Sequence, residues 1–287
     1  MTTMCSSRPL AALAAFYAMA LIGGAKSQGI SGRDGEGLHS LWGTPIMALI
    51  DMEAAKANVP LAAYARSLAA VEPPEIRSNR NGGWQSRNKA FLDPMAHPAK
   101  SGVRKHVKRL RARILASLRQ YLETQLRLGE GNASSPLDFE VSIDASWCNV
   151  NPPGAINGPH VHPFSAVSGA YYIDCGRNAS MELPCAISLM DPRPSSAMAS
   201  LPAPVRDALD FGIDWDLKLW PGTVLIFPSW LMHWVPPNTA PRQRITISFN
   251  AGVKLTGKTA AIAIESEKGS ATRATAHVPP EDRPLDG

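Results

Sequence analysis

A mainly β fold carrying its helices on one side follows from two features of the sequence. Two segments of helical periodicity, within 51–68 and 106–128, come first. After Gly131, short runs rich in Val, Ile, Tyr, Phe and Trp alternate with clusters of Pro, Gly and Asn. Helices followed by many short strands indicate a β-sandwich or barrel with N-terminal helices packed against one side. The chain has 287 residues, 45% of them hydrophobic and 18% charged. A domain of roughly 200 residues buries about 70% of its unfolded surface, enough for a core.

The N-terminal segment 1–26 has Arg8 ahead of an uncharged Ala- and Leu-rich run from Leu10 to Ala25, with Gly23, Gly24 and Lys26 at its exit. That is the layout of a signal or transit segment, slightly short for a membrane span. Membrane or secretory targeting, or an organelle, is the expectation if this segment acts; otherwise the chain is cytoplasmic. Such a segment should pack little against the domain. Residues 27–37 are Gly- and Ser-rich and read as a linker. The domain is expected over 38–255, and the Lys-, Glu-, Thr- and Pro-rich tail 256–287 is expected to be disordered.

Within the domain, Leu41–Trp42 and Ile46–Ile50 read as an opening strand, and Asp51–Leu68 as a helix. Residues Glu72–Ser86, with Pro73–Pro74 and Asn81–Gly82–Gly83, read as a loop. His106–Leu128 is the clearest helix, with Val107, Leu110, Ile114, Leu118, Tyr121 and Leu122 at three- and four-residue steps. Strands are expected at 139–148, 168–174, 186–190, 216–219, 223–227 and 244–250. The net charge of +5 owes much to the stretch Lys100–Arg113. It reads as a solvated helix face or an anion-binding one, and no nucleic-acid partner is expected. The cysteines Cys5, Cys148, Cys175 and Cys185 include no CxxC pair. A disulfide framework is not expected, although Cys175 and Cys185 could pair in an exported protein.

The chemistry is concentrated in three segments. In Asn157-Gly158-Pro159-His160-Val161-His162-Pro163 the two histidines stand two positions apart. On an extended backbone they share a face, so both imidazoles can converge on one metal. Gly158, Pro159 and Pro163 mark the end of a strand. The second segment, Pro221-Gly222 to His233, is a turn feeding an apolar strand with His233 just beyond its end. In the third, Arg244, Thr246 and Ser248 alternate with Ile245, Ile247 and Phe249. One face is polar and the other is core. An Arg followed two residues later by a hydroxyl can clamp a carboxylate, with Arg244 on a salt-bridged edge strand as the plain alternative. The tryptophans Trp147, Trp230 and Trp234 read as barrel-rim packing.

These strings resemble the double-stranded β-helix, the jelly-roll or cupin-like barrel, of the 2-oxoglutarate/Fe(II) dioxygenases. The resemblance rests on the segment from Pro221 to Asn250, with His233 and Arg244 eleven positions apart. It also rests on Ser146-Trp147-Cys148-Asn149, the HxHP string, Ser168-Gly169-Ala170-Tyr171-Tyr172, Asp191-Pro192-Arg193 and Phe227-Pro228-Ser229-Trp230-Leu231-x-His233. It extends over roughly Leu41 to Val253.

It implies an oxidoreductase, a hydroxylase of unspecified substrate, that uses Fe(II), O2 and the co-substrate 2-oxoglutarate. The metal would sit on His160, His162 and His233. Arg244 and Thr246 would hold the far carboxylate, with Asn149 near the co-substrate. The inward member of the Tyr171–Tyr172 pair, expected to be Tyr172, would join them. The chain departs from the family in one respect: the usual pair is His-x-Asp or His-x-Glu, and here it is His-x-His. Either all three histidines bind, or one of the pair binds with a carboxylate such as Asp191. The ligand nitrogens should lie within about 4 Å of one another. Arg242 should be exposed. Two rival readings are a three-histidine cupin-type enzyme without 2-oxoglutarate, which gives Arg244 no role, and a non-enzymatic binding barrel.

Overall fold

Strand by strand, the second half of the chain is one long antiparallel hairpin folded over on itself. In the computed structural model, which describes residues 43–51, 53, 57–75, 79–129, 138–176, 185–193, 201–208 and 214–257, eleven strands form two sheets. They are β1 (Met47–Ile50), β2 (Asn79–Arg80), β3 (Trp84–Gln85), β4 (Phe139–Asn151), β5 (Ile156–His160), β6 (Val167–Cys175), β7 (Cys185–Met190), β8 (Asp214–Leu219), β9 (Thr223–Pro228), β10 (His233–Val235) and β11 (Arg244–Leu255). One sheet has the order β1-β9-β6-β11-β4-β3 and the other β2-β5-β10-β7-β8.

From β4 onward the antiparallel pairs nest: β7 with β8, β6 with β9, β5 with β10, and β4 with β11. Further antiparallel contacts of β11 with β6 and of β10 with β7 complete each sheet. This is the double-stranded β-helix that the sequence predicts.

Helices α1 (Asn58–Val71), α2 (Arg104–Gly129) and the short α3 (Ala203–Ala208) complete the fold. Pro60 falls in the first turn of α1, where a missing N–H removes no helical bond. The apolar stripe of α2 (Val107, Leu110, Ile114, Leu118) is buried together with Leu61 and Ala65 of α1 against Ile245, Ile247, Phe249, Tyr171, Ile173 and Ile226 of the larger sheet. Each such side chain contributes roughly 1.5–3 kcal/mol by leaving water. Gly169 of β6 is required by this packing: a Cβ there would run into the Leu225 carbonyl and the Phe249 ring. A second cluster lies between the sheets, with Ala170, Tyr172, Ile187, Leu189, Leu225 and Phe227. Alternate residues of β6 and β9 therefore serve two different cores.

Several expectations need correction. The stretch Glu72–Ser86, expected as a loop, contains β2 and β3, which flank a turn with Asn81 and Gly82 at φ 57° and 80°. Both residues take left-handed backbone, which Asn and Gly adopt most cheaply. β2 joins the smaller sheet and β3 the larger one, so this turn bridges the two. The helix expected over Asp51–Leu68 is described as α1 from Asn58. Strands β4 and β11 run on to Asn151 and Leu255, beyond their expected ends. Cys175 and Cys185 form a disulfide between the end of β6 and the start of β7, while Cys148 is free and buried. On α2, Lys105, Lys108 and Arg109 are exposed. The targeting segment 1–26, the linker 27–37, Leu41–Trp42 and the tail from residue 258 lie outside the described residues.

Candidate active site

The metal-ligand candidates converge because two short strands are paired in register. His160 ends β5 and His233 begins β10, and they are direct cross-strand partners, a position that brings side chains of one face into contact. Their ring centroids are 4.4 Å apart. The chain then turns at Val161, and His162, whose backbone N–H donates to the Ser229 carbonyl, folds its ring back onto the pair. Its centroid is 5.0 Å from that of His160 and 5.1 Å from that of His233. One ligand nitrogen from each of the three lies within 4.8 Å of the others, a looser set than the expected 4 Å. His233 lies past the end of β9, as its sequence context suggests, and opens a strand of its own, three residues long.

The hydrogen bonds orient these rings for metal binding. His160 Nδ1 lies 2.7 Å from the Gly158 carbonyl and His233 Nδ1 lies 2.9 Å from that of Leu231. A carbonyl only accepts, so both rings carry their proton on Nδ1 and leave the Nε2 lone pair free, the arrangement that outer-shell carbonyls impose on metal-binding histidines. His162 Nε2 is 3.3 Å from His233 Nε2. Burial, and then the neighbouring histidines, pull His162 down to about 3, and burial above all pulls His233 down to about 4. All three are neutral near pH 7, as ligands must be. Asp191 does not belong to this group: it is held by the Arg193 guanidinium and does not line the cavity. Among the described residues, the group placed to hold a metal is three histidines without a carboxylate.

Between the sheets lies a cavity of about 780 Å³ that the histidines share with Arg244, Thr246, Asn149 and Tyr172. Along β11, Arg244, Thr246, Ser248 and Asn250 all line it, as the alternation predicts. Arg244 is 4% exposed; Nη1 donates to the Pro236 carbonyl at 3.2 Å, and Nη2 is buried without a partner. Burial lowers this guanidinium to about 10, so it stays charged. A buried charge with an unmet donor is costly, and a ligand carboxylate is the group that satisfies both. Asn149 Nδ2 donates to Ser248 Oγ at 3.1 Å and Thr246 Oγ1 at 3.4 Å, leaving Oδ1 buried and unmet.

The tyrosine pair resolves by parity. Tyr172 faces the cavity, while the Tyr171 hydroxyl donates to Asn58 Oδ1 of α1 on the far side of the sheet. Arg242 is exposed. Trp147, expected as rim packing, lines the cavity with its ring 5.4 Å from that of His162. Gln85, Lys89 and Arg80 also line it, and no motif of the sequence points to them; they come from the stretch expected as a loop and from the short segment after it.

Comparison with known families bears on the central part of this barrel. Residues 145–250 match the family described as "Putative 2OG-Fe(II) oxygenase". This segment is similar to that family. The matched segment holds His160, His162, His233, Arg244 and Thr246, every residue that carried the resemblance in chemistry. No curated protein matches the chain.

Solved structures similar to it include a prolyl-4-hydroxylase from Pseudomonas putida, 17% identical over 74% of this chain and 93% of that one, TM-score 0.41. Another is the carbocyclase SnoK of nogalamycin biosynthesis, 13% identical over 84% and 89%, TM-score 0.44. A third is EctD from S. alaskensis with 2-oxoglutarate and 5-hydroxyectoine, 17% identical over 72% and 71%, TM-score 0.40. At these scores none of them bears on the chemistry of this chain.

Proposed function

We propose that the chain is a 2-oxoglutarate- and Fe(II)-dependent dioxygenase acting as a hydroxylase. The observation that carries this reading is one cavity with three neutral imidazoles gathered on one wall and a buried guanidinium, short of a partner, on another. His160, His162 and His233 would hold the iron, and backbone carbonyls fix the ring orientation of His160 and His233. Arg244 takes the far carboxylate of 2-oxoglutarate, Thr246 adds a hydroxyl beside it, and Asn149 and Tyr172 close the co-substrate seat.

When bound, iron and 2-oxoglutarate with O2 supply oxidative decarboxylation to succinate and CO2, coupled to insertion of oxygen into a substrate C–H bond. The protein's share is placement and exclusion of water. Phe227, Ile187 and Val235 give the cavity dry walls, and there the Arg244 charge acts more strongly than it would in water.

A three-histidine enzyme without 2-oxoglutarate gives Arg244 nothing to bind, so the buried guanidinium favours the oxygenase reading. The test is succinate production from 2-oxoglutarate with added Fe(II), followed by the same assay on Arg244→Ala. No succinate from the intact protein under any condition sinks the reading. For location we propose an oxidising compartment reached through residues 1–26. The Cys175–Cys185 bond supports it, because such bonds persist outside reducing cytosol. Finding the intact N-terminus on protein in the cytosol counts against it.

A further inference from the structure

The charge of the cavity wall bears on the prime substrate. Among the described residues lining it are three cations, Arg80, Lys89 and Arg244, and no Asp or Glu. The metal ligands add no negative charge either, since a histidine stands where the family usually has a carboxylate. Two positive charges on iron(II) offset the two negative ones of 2-oxoglutarate, and Arg244 is then left over. A cleft lined by one sign of charge with apolar walls focuses its field and concentrates the opposite ion.

The geometry shows where that ion would sit. Lys89 Nζ stands 5.4 Å from the centroid of the Trp147 ring, and that ring is itself 5.4 Å from the ring of His162. The ammonium is therefore one aromatic ring removed from the metal site. Glu75, outside the lining, meets it at 2.5 Å. Beside His162 the rim is apolar: Val161, Pro163 and Phe164 line the mouth. Phe164 is fully exposed, with its backbone at φ 66°, a conformation uncommon for a bulky residue. Strain of this kind persists where the surroundings enforce it and clusters at ligand clamps.

We propose that the prime substrate is an organic anion, its charged group held at the cavity mouth by Lys89 in the field of Arg80, and its apolar body lying against Trp147 and Phe164. This rests on the oxygenase reading above, because 2-oxoglutarate must already occupy Arg244 for the mouth to be the free anion seat.

The test uses the full chain, anaerobic, with Fe(II) and saturating 2-oxoglutarate. Phenylacetate, phenylacetamide and phenethylamine are titrated by calorimetry. Phenylacetate is expected to bind about tenfold more tightly than the amide, the strength of one charge-assisted hydrogen bond, with the amine weakest. Lys89→Gln should bring the acetate-to-amide ratio close to one, and Glu75→Gln, which releases the ammonium, should raise it. Opposite signs for these two variants are not what a merely structural pair would give. Equal binding of acid and amide, preference for the amine, no binding of any probe, or a ratio unmoved by Lys89→Gln overturns the proposal. So does phenylacetate that 2-oxoglutarate displaces, which would put the anion on Arg244. Binding of 2-oxoglutarate is titrated first. Its failure strikes the oxygenase reading alone, and the anion preference is then read on Arg244→Ala protein.

Discussion

The two faces of β11 are made from one stretch of chain and obey different rules. Ile245, Ile247, Phe249 and Ala251 are wholly buried, against the helices. Arg244, Thr246, Ser248 and Asn250 turn to the cavity, where Arg244 keeps an unmet donor. The first face is satisfied by its neighbours and the second is not. A sheet that met every polar group internally would be more stable but would have nothing left with which to hold a co-substrate. Stability and binding can therefore be perturbed separately by substitutions one residue apart, and four variants test whether they can.

His233→Ala, on the neighbouring sheet, has the largest expected effect: loss of bound metal and of all turnover, read by metal analysis and succinate assay. Arg244→Ala comes next. It leaves a carboxylate without its partner in a buried seat, a cost on the order of 3–5 kcal/mol. The apparent KM for 2-oxoglutarate should rise roughly a hundred- to several-thousand-fold, with metal retained. Iron lost together with the arginine would mean the two ends of the cavity are not separable.

Phe249→Ala, on the helix face, is expected to cost about 3–5 kcal/mol of unfolding free energy by chemical denaturation. The KM of the protein that remains folded should be unchanged. A large change in KM would erase the distinction between the faces. Arg242→Ala is the smallest: this exposed residue shares the parity of Arg244 but stands outside the cavity, so stability should move by no more than about 0.5 kcal/mol and KM not at all.

How much of the molecule is legible in the sequence follows from what each feature depends on. The face alternation of β11 is a property of the strand itself, so Arg244 and Thr246 can be assigned from their spacing. The stripe of α2 is legible in the same way; His162, by contrast, lies beyond the end of β5 and joins His160 only because the chain turns after that strand. The short strands are not legible. β2 and β3 have two residues each and β10 has three; no periodicity fits in that length, and only pairing with distant partners makes them strands. β5 contains Gly158 and Pro159, which read as breakers. Arg80 gains its place from the bridge between the sheets, which the sequence presents as a polar loop, and Lys89 from the short segment after it. The outward partner of Tyr171, Asn58 of α1, lies 113 positions away, and no local pattern points to it.

The nesting of the strands governs how this domain comes into being. Phe139 pairs with Leu255, and the strands between them close pair inside pair. Such a chain is rich in non-local contacts, the class that folds slowly, in milliseconds to seconds. His160 and His233 belong to an inner pair, whereas Arg244 lies on the outermost pair, on the last of the described strands to leave a ribosome. A nascent chain that has released β10 but not β11 can bring its imidazoles together while the larger sheet still lacks the strand between β6 and β4. Its apolar residues are then uncovered and the arginine is absent. Metal capture can in this way precede the completion of the co-substrate seat during synthesis.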